Sequence, residues 1–157
     1  MKIFAGISQL NRLLVAFQDK KIVFTNGVFD ILHPGHIDLL EFARGRGDCL
    51  IVGINTDDSA RRLGKGKDRP IFPLVERMEV LAALECVDFV IPFAEDTPLE
   101  LIKSLYRVDI LVKGGDYRPD QVVGRKEVET GGGKLLLFRL QPGYSSTAII
   151  DRIQQSI

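Results

Sequence analysis

Short unbroken apolar runs recur along the chain, separated by stretches in which apolar residues return every three or four positions. The runs are Ile22–Thr25, Cys49–Ile54, Val87–Ile91, Asp109–Val112 and Lys134–Phe138. Continuous rather than alternating runs predict parallel strands covered on both faces. Between them, His36, Leu39, Leu40 and Ala43 follow an i, i+3, i+4, i+7 spacing, and Leu74, Met78 and Leu81 an i, i+4, i+7 spacing, so both stretches predict helices. Thr97-Pro98-Leu99-Glu100 combines an N-cap hydroxyl, a first-turn proline and a capping-box glutamate, which predicts a helix start. Leu10, Leu13, Leu14 and Phe17 predict an amphipathic helix in an N-terminal extension over residues 1–20, and Ile149, Ile150, Ile153 and Ile157 predict another at the C-terminus.

Strand–helix alternation of this kind predicts an α/β domain with right-handed crossovers. The expected architecture is a Rossmann-like open, mainly five-stranded parallel sheet with helices on both faces, formed by one domain over residues 1–157. A length of 157 residues fits a single core. The sequence has 21 Lys plus Arg against 21 Asp plus Glu, a balance that argues against wrapping duplex nucleic acid or coating a membrane. No apolar run approaches the ~20 residues needed to span a bilayer, and no secretory leader is visible, so a cytoplasmic location is expected. Cys49 and Cys86 form no CxxC pair and read as reduced core residues.

Open sheets bind ligands beyond the carboxyl ends of their strands, so the segments after each strand are where chemistry is expected. The first reads Asn26-Gly27-Val28-Phe29-Asp30-Ile31-Leu32-His33-Pro34-Gly35-His36 and holds the only two histidines, at the start of a helix. A helix N-terminus attracts phosphate through unpaired N–H groups and its dipole, two imidazoles can add donors, and Gly35 leaves room for close approach. A capping turn is the bland alternative. A metal site lacks a Cys or Glu at ligand spacing. After the second strand, Arg61 to Arg69 carries five cations (Arg61, Arg62, Lys65, Lys67, Arg69) against Asp68. This stretch reads either as a solvated loop or as a flap over phosphates. Lys113-Gly114-Gly115-Asp116-Tyr117 follows the fourth strand, and Asp116 there could hold ribose, substrate hydroxyls or a metal-bound water. Gly131-Gly132-Gly133 reads as a turn.

The pattern GxFDxxHxGH after a strand resembles the HxGH nucleotidyltransferases of the cytidylyltransferase-like superfamily. Gly143-Tyr144-Ser145-Ser146-Thr147-Ala148-Ile149-Ile150 resembles that superfamily's serine/threonine signature at the mouth of the last helix. Alone it would be an N-cap; with the histidine segment it implies two helix N-termini around one triphosphate. The segments Arg-Arg-Leu, Arg-Pro-Ile, Glu-Arg-Met and Lys-Gly-Gly-Asp-Tyr, with the two signatures, are similar to those of the D-glycero-β-D-manno-heptose 1-phosphate adenylyltransferases, over Ile22 to Ile153. In that branch the unit often forms half of a bifunctional protein with a sugar kinase; the present length resembles the stand-alone form. Related cytidylyltransferases carry an arginine where this chain has Leu140, with Arg139 beside it, a departure that fits the adenylyl branch.

The resemblance implies transfer of AMP from ATP to a sugar 1-phosphate, with Mg²⁺ accompanying ATP and no resident metal. It also implies His33, His36, Lys65 and Lys67 as the catalytic set. Asn26, Gly27, Val28, Phe29, Gly35, Gly115, Asp116, Gly143, Ser145, Ser146 and Thr147 would join the two histidines around the nucleotide. Asp30, Arg61, Lys65, Lys67, Arg77 and Lys113 would meet the substrate, although for Arg77 a structural ion pair is the equal alternative. A general base is unnecessary because the attacking phosphate oxygen is already anionic. A homodimer is expected, with the N-terminal helix as a candidate contact; no nucleic-acid or membrane partner is expected. Other phosphorylated acceptors, such as glycerol 3-phosphate, and a non-catalytic nucleotide-binding module are the competing readings.

Overall fold

The computed structural model describes residues 2–64, 66, 68–140 and 142–157. Five strands form one parallel sheet: β1 (Ile22–Gly27), β2 (Cys49–Asn55), β3 (Phe89–Phe93), β4 (Ile110–Gly114) and β5 (Lys134–Phe138). Their order is β3-β2-β1-β4-β5, so the winding reverses between β1 and β4. The helices are α1 (Ile7–Val15), α2 (Pro34–Arg44), α3 (Asp57–Arg62), α4 (Leu74–Ala83), α5 (Leu99–Ser104), α6 (Arg125–Thr130) and α7 (Ser146–Gln154), with a 3-10 turn at Pro119–Gln121. The expected five-stranded Rossmann-like sheet is the one that forms.

Alternate residues of the buried strands feed two cores. Phe24, Ile51 and Leu111 pack with Leu10, Leu14, Leu101 and Val128, while Val23, Val52 and Val112 pack with Leu39, Leu40 and Leu81. Helices α1, α5 and α6 therefore cover one face, and α2 and α4 the other. Leu10 and Leu14 are fully buried, so α1 is built into the core. The strand edge at β3 is covered by the chain's own start: Phe4 donates its N–H to the Val90 carbonyl, and Val90 donates to that of Lys2. That coverage protects an otherwise open edge.

Three aspartates just ahead of strands tie the sheet together at its amino ends. Asp48, Asp88 and Asp109 accept backbone N–H groups of Lys21, Leu50 and Ile22 at 2.7–2.8 Å. Each returns its own N–H to the same residue's carbonyl. This pairing moves the start of β3 from the expected Val87 to Phe89. The helix expected at Thr97 begins one residue later, with Pro98 at the N-cap and no side-chain cap. Helices α3 and α6 have six residues each, too short to show a 3.6-residue repeat in the sequence. Both cysteines are free thiols; burial, then the nearby Asp88 charge, pushes Cys49 up to about 12, so it stays protonated.

Gly53, in the middle of β2, faces Phe24 and Leu101: a Cβ there would lie 2.7 Å from the Phe24 ring and 3.1 Å from Leu101. Overpacking of this kind costs about 1–3 kcal/mol. Gly53→Ala is expected to lower the melting temperature by several degrees, and an unchanged melting curve would contradict the packing described.

Candidate active site

The crevice above the carboxyl ends of β1 and β4 lies where the winding reverses. Lys113 at the end of β4 donates from Nζ to Asn26 Oδ1 of β1 at 3.4 Å, bridging the two strands across it. Between α2, α7 and these strand ends lies a cleft of ≈ 270 Å³ lined by His33, His36, Arg69, Lys113 and Ser145–Thr147, among others. A larger hollow of ≈ 460 Å³ between α5 and α6 is lined by Val108 and Gly131, which precede β4 and β5. It lies at the amino ends of the strands, where sheets of this kind do not bind ligands.

The histidine segment folds as it does because Pro34 occupies the first turn of α2, where its missing N–H is not needed. His33 is the extended N-cap residue, and its carbonyl accepts from the His36 and Ile37 N–H groups. The two imidazoles stack with centroids 3.8 Å apart and planes 19° from parallel. Phe29 packs on His36 at 5.3 Å. His33 is 9% exposed, and its burial lowers the imidazole pKa, which keeps the ring neutral at neutral pH.

Asp30 is the hub beneath them. Its carboxylate accepts from Arg69 Nε at 2.7 Å, the Ile71 N–H at 2.8 Å and the Phe72 N–H at 3.0 Å. Its backbone carbonyl accepts the Ser146 hydroxyl. Phe29 and Ile31 on either side both stand at φ 50°, a left-handed conformation that costs about 1–2 kcal/mol per residue. Burial pushes the Asp30 carboxyl up, but the Phe72 and Ile71 N–H groups and the Arg69 guanidinium outweigh it and leave the pKa below the usual carboxylate value. Arg77, 2% exposed, bonds the Val28 and Phe72 carbonyls and pairs with Asp57 at 2.7 Å. At the far wall, Ser145 caps α7 by accepting the Ala148 N–H at 3.0 Å.

A second cavity of ≈ 320 Å³ adjoins the first and shares Asn26, Gly27, Val28, Lys113 and Tyr117 with it. Its outer walls come from Leu63, Asp96, Thr97, Pro98 and Gln121, among others. Tyr117 stands between the two cavities, with the Lys113 ammonium 5.6 Å from its ring centre.

With this geometry, two helix N-termini, the imidazole pair and Ser/Thr hydroxyls meet in one cleft at the switch point, and the profile of cytidylyltransferase-like proteins matches residues 24–152. The chain belongs to the cytidylyltransferase-like family. It is 54% identical over 137 residues to the bifunctional protein HldE of Citrifermentans bemidjiense, covering 87% of this chain and 28% of that protein. It is 56% identical over 134 residues to HldE of Syntrophotalea carbinolica, covering 85% of this chain and 27% of that one. The chain thus spans little more than a quarter of the length of these relatives. Among solved structures, the lipopolysaccharide core biosynthesis protein of Thermoplasma volcanium is 30% identical with a TM-score of 0.64, over 80% of this chain and 99% of that chain. Pantoate-β-alanine ligase of Francisella tularensis shares the fold, with a TM-score of 0.62 at 18% identity over 98% of this chain and 77% of that chain.

Of the residues expected around the nucleotide in this cytidylyltransferase-like chain, Asn26–Phe29, His33, His36 and Ser145–Thr147 line the cleft. Gly35 lies under His33 and Tyr144, while Gly115, Asp116 and Gly143 are not among the cleft's lining residues. The substrate roles expected of Asp30 and Arg61 need correction, and for Arg77 the structural ion pair is the alternative that forms. The Asp30 carboxylate and the Arg77 guanidinium are buried and fully engaged by protein groups, so both act as positioning residues. Arg61 sits on exposed α3, pairs with Asp58 at 2.7 Å and lines neither cavity. Lys113 lines both cavities. Lys65 and Lys67 lie outside the described residues. Arg69, Tyr117 and Tyr144 line the cleft without having been singled out; their nearest signals were the basic run, the Lys-Gly-Gly-Asp-Tyr segment and the C-terminal signature.

Because the folded pKa of Asp30 lies below its unfolded value, the stability it contributes is complete above about pH 3.9 and is lost as pH falls through the folded value. Asp30→Asn is expected to lose about 1.5–3 kcal/mol at pH 7. In urea titrations that gap should narrow on going from pH 7 to pH 3, and a pH-independent gap would contradict the charged assignment.

Proposed function

We propose that this domain transfers AMP from ATP to D-glycero-β-D-manno-heptose 1-phosphate, releasing pyrophosphate and forming the ADP-heptose used for lipopolysaccharide cores. The observation that carries the reading is the meeting of the imidazole pair of α2 and the Ser/Thr-capped start of α7 in one cleft. The high identity to HldE proteins and the likeness to a lipopolysaccharide core biosynthesis protein support the acceptor class.

In this reaction an anionic oxygen of the sugar phosphate attacks the α-phosphorus of ATP. The Pα–O bond to the β-phosphate breaks, and pyrophosphate leaves with the electron pair. No proton need be removed from the nucleophile. The protein must instead align two anions and stabilise the charge that builds on the α-phosphoryl and leaving groups. His33 and His36 would donate N–H groups to the phosphoryl oxygens, while Thr147 and the N–H groups opening α7 would hold the outer phosphates. Lys65 and Lys67 would close over both substrates. The acceptor fits the second cavity, with its phosphate at Lys113 on the shared wall and its hydroxyls against Asp96, Thr97 and Gln121. Among the described residues no group of three or more His, Cys, Asp or Glu forms a metal cage. Mg²⁺ would arrive on the nucleotide, held by phosphates and water. No helix among the described residues is long and apolar enough to cross a membrane.

Pyrophosphate release from ATP with heptose 1-phosphate, and its absence with CTP, tests the assignment. His36→Ala is expected to lower turnover by ~10²-fold or more, the scale of one lost charge-stabilising donor. Leu63 is 41% exposed and lines only the second cavity of the two. Leu63→Trp should therefore raise KM for the sugar phosphate about tenfold or more and leave KM for ATP unchanged; the reverse pattern would put the acceptor elsewhere.

A further inference from the structure

Tyr117 helps to line both cavities, and at 44% exposure it is not there as core packing. What seats its ring is the turn after β4. Gly115 stands at φ 123°, a conformation that glycine adopts at little cost, and donates its N–H to the Phe138 carbonyl of β5 at 3.0 Å. A Cβ on Gly115 would lie 2.9 Å from Cε2 and 3.2 Å from Cδ2 of Tyr117. The ring therefore rests against the glycine backbone, in space that any side chain there would claim.

The face of this ring is turned to Lys113, whose Nζ lies 5.6 Å from the ring centre. That is inside the ~6 Å at which the quadrupole of an aromatic ring attracts an ammonium. The same Nζ donates to Asn26 Oδ1 at 3.4 Å, which is long for a hydrogen bond and so a loose tether by itself. Neither the amide nor the ring carries a formal charge, so each steadies the ammonium without cancelling its charge. Arg69, in the same cleft, is instead held by the Asp30 carboxylate at 2.7 Å. A lysine needs such holding, because its flexible four-carbon stem loses rotamer freedom when it meets a ligand, and that loss costs affinity.

We propose that Tyr117 is a positioning residue: its ring, seated on Gly115, holds the Lys113 ammonium on the wall shared by the two cavities, where it meets the phosphate of the acceptor. The meeting with the acceptor's phosphate rests on the adenylyltransferase reading; the holding of the ammonium by the ring does not. An aliphatic side chain at position 117 would fill similar space without a negative face, whereas phenylalanine would keep that face.

The lysine ε-methylene signals in a ¹H–¹³C spectrum read the contact without turnover, with Lys113→Met identifying the signal concerned. In wild type and Tyr117→Phe the Lys113 signal should stand upfield of the other lysines through the ring current. In Tyr117→Leu it should fall back among them. A Lys113 signal that already lies among the others in wild type overturns the proposal. Turnover then reads the consequence. Starting from Tyr117→Phe, phenylalanines carrying successively more ring fluorines nearly keep the shape while draining the negative face. Along that series kcat/KM for heptose 1-phosphate should fall stepwise, by roughly two- to fivefold in all, and in Lys113→Met the same series should be flat. A level series with Lys113 present overturns the proposal, since packing alone would give that result. A slope that persists in Lys113→Met also overturns it, by showing that the ring acts on a substrate directly. If wild type releases no pyrophosphate from ATP with heptose 1-phosphate, the adenylyltransferase reading fails, and the ε-methylene signal still decides whether the ring holds the ammonium.

Discussion

The carboxylate of Asp30 is the interaction on which the site rests. A charge removed from water is tolerable only when donors surround it, and here the donors come from a segment about forty positions away: the Arg69 side chain and the Ile71 and Phe72 backbone. The same residue's carbonyl takes the Ser146 hydroxyl, which anchors the start of α7. One residue thus joins the loop after β1, the entry to α4 and the C-terminal helix. The left-handed conformations of Phe29 and Ile31 persist because this network over-determines them. Arg77 repeats the device one layer deeper, binding the Val28 and Phe72 carbonyls to Asp57.

This anchoring explains how a protein with balanced charge can present an anion site. Arg69 is neutralised where it stands, and the imidazoles are stacked, His33 being held neutral by burial. In the proposed reaction, the attraction for phosphate from the described residues would come from oriented N–H groups at two helix starts and from Lys113. Donors fixed in advance lose little on binding, and a site with few full charges is suited to releasing a charged product.

Much of this was legible in the residues. Continuous apolar runs mark buried parallel strands, because only a strand covered on both faces can be apolar at every position. The histidine and serine segments were legible as helix starts because Pro34 and Ser145 are chemically suited to those places. The role of Asp30 was not, and for Arg77 the structural ion pair was one of two equal readings. An acid and a base beside a phosphate motif look like substrate ligands until their burial and partners are known, and apart from the Phe72 carbonyl five residues before Arg77 those partners lie 20 to 49 positions along the chain. Nor did periodicity reveal α3 or α6, whose six residues give less than two turns.

Composition and pattern were enough to set the class of fold, the number of strands and the two helix-start segments that meet in the cleft, since each depends on local chemistry and on which faces must avoid water. Which strands became neighbours, where the winding reverses, and therefore which side chains share a cleft depended on long-range closure of the sheet. That closure converts residues such as Asp30 from apparent ligands into supports. Contacts between distant segments are chosen by the packing of the whole core, and no single stretch of sequence carries that choice.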